Sequence, residues 1–264
     1  MKNISVLIPV YNEEERLSIV FEALLKTWPK SVSLKEIIFV NDGSTDMTIK
    51  IIKSKSKRIV RKLGVPVRLV SYPENRGKGY AVKQGMRAAT GDYLLISDVD
   101  MSTPFAELVK FRTKVMSGSD VTVGTRKNGH STVVVAQPIY RQLLGKGFTY
   151  LSQFILGMSV SDFTCGFKVL NRDAYKMIGR KMMVERWGYD AEILYLAQKS
   201  NLYISEIPVA WYNDKRSKVN LMKDIAQTLS DLLAIRLNHI RGIYSEGRVR
   251  DTLKVGVLPW AKEI

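Results

Sequence analysis

Residues 4–40, ISVLIPVYNEEERLSIVFEALLKTWPKSVSLKEIIFV, decide how the rest of the chain is read. Residues 4–9 form an apolar run, which predicts a buried strand. Residues 14–25 carry apolar side chains at helical spacing, with Asn12 in position to cap them. Residues 36–40 are a second apolar run. Strand, helix, strand in this order is the unit from which parallel sheets are built.

The alternation continues. Thr45 and Asp46 are candidate caps for a helix that runs to about Lys62. Residues 67–71 read as a third strand, and 78–89 as a helix that Gly91 ends. Residues 93–96 read as a fourth strand and 121–124 as a fifth. Pro104 suits a first helical turn. This pattern predicts an α/β fold: a doubly wound, mostly parallel sheet with helices on both faces. After Gly124 the rhythm changes. Residues 128–138 are polar and rich in turn formers. Residues 139–156 have helical spacing, 165–170 and 204–211 look like strands, and 191–199 reads as a helix between them. Leu221, Ile225, Leu229, Leu232, Leu233, Leu237 and Ile240 mark a C-terminal helix.

The 264 residues suffice for one sizeable domain, and a 45% hydrophobic share is that of a globular protein. The single cysteine, Cys165, excludes an internal disulfide, and no Cys/His cluster suits zinc. No charged leader with an apolar run opens the sequence, and no stretch has the ~18 apolar residues of a spanning helix. A cytoplasmic setting is expected. The net charge of +16 attracts polyanions. Residues 47–73 hold eight Lys or Arg and no acid, either a solvated helix face or a docking surface.

Ligands of open α/β sheets bind beyond the carboxyl ends of the strands. The polar segments that follow the first four strands should therefore converge. They are Tyr11-Asn12-Glu13, Asn41-Asp42-Gly43-Ser44, Asn75-Arg76-Gly77-Lys78-Gly79 and Asp98-Val99-Asp100. Carboxylates on three of them and a basic, glycine-rich fourth suit a nucleotide, a diphosphate and a divalent ion. Asp98 and Asp100 stand two apart, and such a pair repels itself unless a cation intervenes. Mg²⁺ or Mn²⁺, which favour few protein oxygens plus phosphate oxygens, would fit. Two solvated turn aspartates are the bland alternative.

Together these segments resemble the inverting family-2 glycosyltransferases of GT-A fold. The matching residues are Pro9-Val10-Tyr11-Asn12-Glu13-Glu14, Val40–Asp46, Asn75–Gly79 and Asp98–Asp100, in family order. Asn41 stands where the family often has an acid. Further segments resemble the polyprenyl-phosphate sugar synthases: Asp98–Pro104, Gly124-Thr125-Arg126, Asp162–Lys168 and Arg186–Glu192. Asp231-Leu232-Leu233-Ala234-Ile235-Arg236 is similar to the dolichyl-phosphate glucosyltransferase branch.

The resemblance implies a donor site formed by Pro9, Tyr11, Asn12, Glu13, Asp42, Lys78, Asp98 and Val99. It implies that Asp98 and Asp100 bind Mg²⁺ or Mn²⁺. Arg126 and Arg141 are implied at the acceptor phosphate, where a guanidinium suits phosphate oxygens. The catalytic set is then Asp100, Arg126, Arg141 and Asp190, with Asp190 either a base for a hydroxyl acceptor or a structural group. The expected reaction is inverting transfer of a hexose, glucose preferred, from a nucleoside-diphosphate sugar, UDP-glucose preferred, to a polyprenyl or dolichyl phosphate. GDP-mannose as donor, or a hydroxyl acceptor, is the alternative. A basic nucleic-acid-binding protein is the distant one, and no nucleic-acid motif supports it. Residues 1–241 are expected to form one domain, with a nucleotide-sugar half at 1–126, an acceptor half at 127–241, and a tail at 242–264. Peripheral contact with an anionic membrane surface on its cytoplasmic face is expected. The helix at 139–156 is a candidate for lying in the interface.

Overall fold

The structure is a computed structural model that describes residues 1–127, 139–212, 221–245 and 256–259, with only the backbone described at 139–144, 221–225 and 256–259. The first half is the expected alternation: β1 (Ile4–Val10), α1 (Leu17–Lys26), β2 (Leu34–Asp42), α2 (Thr48–Leu63), β3 (Val67–Tyr72), α3 (Lys78–Ala88) and β4 (Tyr93–Ile96). A 3-10 turn at Phe105–Glu107 leads into α4 (Leu108–Met116), and β5 (Val121–Thr125) follows. The second half contributes α5 (Ile139–Leu156), β6 (Lys168–Asn171), α6 (Arg172–Lys181), α7 (Tyr189–Lys199), β7 (Ile204–Pro208), α8 (Leu221–Ile240) and β8 (Gly256–Pro259).

These strands make one sheet in the order β7-β5-β6-β4-β1-β2-β3-β8. The pairs β1/β2, β2/β3, β1/β4 and β5/β7 are parallel, while β6 runs antiparallel between β4 and β5. Right-handed crossovers toward β3 put α1 and α2 together on one face. The return from β3 to β4 carries α3 over the opposite face, where it packs on β1 and β2. β1 is wholly buried, as a strand covered on both faces must be. The direction of winding reverses beside β1. The crevice of such a sheet therefore opens beyond the carboxyl ends of β1 and β4.

The antiparallel β6 matters most for what lies in that crevice. Its first residue, Lys168, is in register with Ile96 at the end of β4. The segment that leads into β6 thus meets the loop that leaves β4.

Several local expectations are corrected. Asn12 does not cap α1, because its Oδ1 accepts from the backbone N–H of Thr45 at 2.9 Å and holds the loop after β1 to the loop after β2. The helix itself starts at Leu17. The strand read at 165–170 begins at Lys168, and that read at 204–211 ends at Pro208. α3 ends at Ala88, with Ala89 already extended, before Gly91 is reached. α6 was not foreseen, although Asn171 caps it by accepting from Ala174 N–H at 2.8 Å. Within the segment read as a tail, Gly256–Pro259 pairs antiparallel with β3. The polar stretch at 128–138 lies outside the described residues.

Candidate active site

Asp98 and Asp100 follow β4 directly. Val99 between them is buried in the core, which turns the two carboxylates away from it. Ser102 N–H donates to Asp100 Oδ1 at 2.9 Å, and Met101 takes a left-handed φ of 54° that turns the chain. The pair borders an open cleft lined also by Ser97, Ser102, Thr103, Arg126, Thr164, Cys165, Gly166, Phe167 and Trp211.

Gly166 is what lets Asp98 sit there. A Cβ on Gly166 would lie 2.3 Å from Asp98 Oδ2. On its other side, Asp98 Oδ1 lies 2.6 Å from Lys78 Nζ, an ionic contact without the alignment of a hydrogen bond. Burial penalises the Asp98 carboxylate, but Lys78, with Lys168 and Arg126 farther off, outweighs it and leaves the pKa below the ordinary value. Asp100 shifts the other way, raised by burial and by the charge of Asp98. A divalent cation fits this chemistry: two adjacent carboxylates, an oxygen with no hydrogen bond, and a cradle that a single methyl would fill. Among the described residues there is no cluster of three His, Cys, Asp or Glu able to hold a metal. An ion here would need further ligands from a phosphate or water.

Lys78 opens α3 beside two rings, its Nζ 5.7 Å from the Trp187 centroid and 5.8 Å from that of Tyr189. The glycine-rich loop before it is tied to the end of β2. Its amides are spent on Asp42: Arg76 N–H donates to Oδ1 at 2.8 Å, while Gly77 N–H and Asn75 Nδ2 donate to Oδ2 at 2.8 and 2.9 Å. Gly77, with φ of 108°, is needed because a Cβ would meet Glu185 O at 2.5 Å. Asp42, expected to hold a nucleoside, thus organises the loop that presents Lys78.

The donor-side residues after β1 divide in the same way. Pro9 is inside β1, opposite Val40. Glu13 is buried in an ion pair with Arg16, and its N–H donates to Thr48 Oγ1 at 2.7 Å. Tyr11 is exposed. Of the predicted set, Lys78, Asp98, Asp100 and Arg126 gather around the cleft, with Asp190 behind them.

Arg126 leaves β5 into the cleft wall. Its Nε donates to Asp162 Oδ2 at 2.7 Å and its Nη2 to Asp162 Oδ1 at 2.9 Å, and Nη2 also reaches Thr164 Oγ1 at 2.8 Å. Its guanidinium carbon lies 5.5 Å from the Trp211 ring centroid. Burial works against the Asp162 charge, yet Arg126 wins and holds this carboxyl far below the ordinary range. The side chain of Arg141, on α5, is outside the described residues.

Asp190 is buried at the start of α7, where Lys168 Nζ donates to its Oδ1 and also to Cys165 O. Burial raises its pKa, with Lys168 and Lys78 offsetting part of the effect. Glu192 is structural, accepting from the backbone N–H groups of Met183 and Val184 and from Tyr244 Oη. Asp231 on α8 accepts from Gly188 N–H at 2.9 Å and so ties the Trp187 loop to α8. Sequence reading quotes Asp162–Lys168 as a segment of resemblance but gives Asp162, Gly166 and Lys168 no role in the site. Their roles come from the contacts with Arg126, Asp98 and Asp190.

The sequence matches the description "Glycosyl transferase family 2" over residues 5–179. The chain belongs to that family. It is a glycosyltransferase, and the matched span ends inside α6, so the Trp187 loop, α7 and α8 lie beyond it. The dolichyl-phosphate beta-glucosyltransferase of Saccharomyces cerevisiae is 34% identical over 263 residues, covering 93% of this chain and 77% of that protein. The enzyme of the same name from Homo sapiens is 31% identical, covering 96% and 80%. Among solved structures, glucosyl-3-phosphoglycerate synthase from Mycobacterium tuberculosis with Mn²⁺ and UDP-glucose superposes with a TM-score of 0.62 at 16% identity, covering 98% of this glycosyltransferase and 86% of that chain. The same synthase bound to UDP gives a TM-score of 0.63 at 18% identity, covering 89% and 80%. At these identities the likeness shows the fold.

Proposed function

We propose that this glycosyltransferase moves glucose from UDP-glucose to dolichyl or another polyprenyl phosphate, inverting the anomeric carbon. The names of the relatives above support the donor and the acceptor class. The observation that carries the phosphate acceptor is the buried Lys168–Asp190 pair. A hydroxyl acceptor needs a base to take its proton. Asp190 is the carboxylate behind the cleft, and protonating it would strip a fully buried ammonium of its counter-charge, a costly step. A phosphate oxygen is already ionised and attacks the anomeric carbon without a base, as the bond to the departing UDP breaks.

Asp98 and Asp100 would hold Mg²⁺ or Mn²⁺, whose charge, when bound, stabilises the leaving diphosphate. Lys78, beside Asp98, would add a second positive charge for the same diphosphate. Arg126, fixed bidentately by Asp162, supplies a positioned cation for the acceptor phosphate, which must approach while two anionic groups crowd together. Trp211 borders the cleft as an apolar wall. On this reading residues 1–126 serve the donor and 127–241 the acceptor.

A lipid acceptor calls for contact with a membrane. No helix among the described residues is long and apolar enough to cross one. On α5, Tyr150 is 71% and Phe154 85% exposed, next to Leu151, and α8 exposes Leu233, Leu237 and Ile240. Such residues suit a peripheral, interfacial contact that the net charge of +16 would strengthen on anionic lipid.

The test is incubation with labelled sugar nucleotides, dolichyl phosphate and Mg²⁺ or Mn²⁺. Lipid-linked glucose from UDP-glucose is expected. Glycosylation of a simple saccharide, with no lipid product from any donor, would overturn the reading.

A further inference from the structure

We infer that Lys78 is a resident counter-ion for Asp98 that competes with the metal, so that the metal binds well only once a diphosphate has drawn Lys78 away. The inference rests on the proposed metal site.

Three features converge on it. Lys78 Nζ sits 2.6 Å from Asp98 Oδ1, the oxygen that has no hydrogen bond, while Oδ2 is hemmed in by Gly166. A metal on Asp98 and the ammonium therefore claim the same oxygen. The contact is an ion pair between two side chains, so an incoming anionic group can take over the ammonium. Secondly, Lys78 is only partly buried, with a quarter of its side chain exposed, and its Nζ lies 5.7 Å from the Trp187 and 5.8 Å from the Tyr189 ring centroid. An ammonium that leaves Asp98 keeps favourable ring faces within reach. Thirdly, the loop below is rigidly held by Asp42, so movement is confined to the Lys78 side chain.

The charges give the sequence of events. With Lys78 in place, one of the two carboxylate charges on Asp98 and Asp100 is neutralised. A dication added alone must displace or sit against the ammonium. A diphosphate supplies anionic oxygens for Lys78 and further ligands for the metal, and both oppositions vanish. Metal and nucleotide affinities are then linked, and the linkage is reciprocal.

The experiment is calorimetric titration of MnCl₂ into the wild type, Lys78→Met and Lys78→Arg, each with and without UDP. Without UDP, Lys78→Met should bind Mn²⁺ about tenfold tighter than the wild type, because one opposing unit charge is gone. Lys78→Arg should stay weak. The factor by which UDP tightens Mn²⁺ should shrink in Lys78→Met. Equal or weaker Mn²⁺ binding by Lys78→Met, in a variant whose circular dichroism and melting match the wild type, overturns the inference while leaving the metal site standing. Should Lys78→Met fail to fold, Lys78→Gln takes its place with the same expected outcome. Absence of Mn²⁺ binding in every protein even with UDP, or binding that survives Asp98→Asn, removes the metal site and the inference with it.

Discussion

Replacing Gly166 by alanine probes the centre of the site without removing a charged group. The new Cβ would stand 2.3 Å from Asp98 Oδ2, 2.8 Å from Asp98 Cγ and 2.9 Å from Oδ1, where ordinary contact begins at 3.4 Å. The overlap with Oδ2 exceeds an ångström, so Asp98 must rotate away or the segment before β6 must retreat. Overpacking of this kind costs about 1–3 kcal/mol. For a chain of this size that lowers Tm by roughly 2–12 °C. The larger effect falls on the cation. Displacing the support of a metal-binding group costs about 10–100-fold in affinity. Titration of Mn²⁺ in saturating UDP should show that loss, with transferase activity falling in parallel at fixed metal. Gly147→Ala, where a Cβ meets nothing within 4 Å, serves as the control and should leave both unchanged. Wild-type Mn²⁺ affinity in a folded Gly166→Ala protein would refute the argument that this glycine shapes the site.

Four further outcomes are expected. Asp162→Asn leaves the Arg126 guanidinium without its bidentate partner and should cost about 3–5 kcal/mol in urea unfolding at pH 7; a loss under 1 kcal/mol would contradict the pairing. Because Arg126 outweighs burial and depresses the Asp162 pKa, this stability is present above the unfolded carboxyl value of about 3.9 and fades as pH falls through the folded value. Wild type and Asp162→Asn should therefore converge in urea midpoint in strong acid, and a constant gap from pH 7 to pH 2 would count against it. Burial pushes the Cys165 thiol up to about 11, so iodoacetamide at pH 8 should label it only after denaturation; rapid native labelling would be inconsistent. Tyr244→Phe removes a 2.7 Å hydrogen bond to buried Glu192 and should destabilise by about 1–3 kcal/mol, read as a lower Tm.

The relation of sequence to structure differs sharply between elements. Residues 93–96 and 139–156 were read with the observed bounds, because apolar runs and helical spacing are local signals that the structure had no cause to override. Asn12 failed as a cap because its side chain was claimed by Thr45, a residue far along the chain. The same holds for Asp42. Its place after β2 was legible, but its hydrogen bonds to Arg76 and Gly77 were not, since nothing in the 41–44 segment announces which loop will face it.

The sequence by itself determined the order of strands and helices as far as β5, the polar segment that ends each early strand, and the neighbouring pair Asp98 and Asp100. Those are consequences of periodicity and of spacing along one backbone. Only the tertiary structure decided what surrounds the pair. The antiparallel insertion of β6 between β4 and β5 brings Gly166 against Asp98 and Lys168 against Asp190. The register of α3 sets Lys78 on the remaining oxygen. Charges in a partly buried cleft take their behaviour from neighbours within a few ångströms, and here those neighbours come from segments distant along the chain.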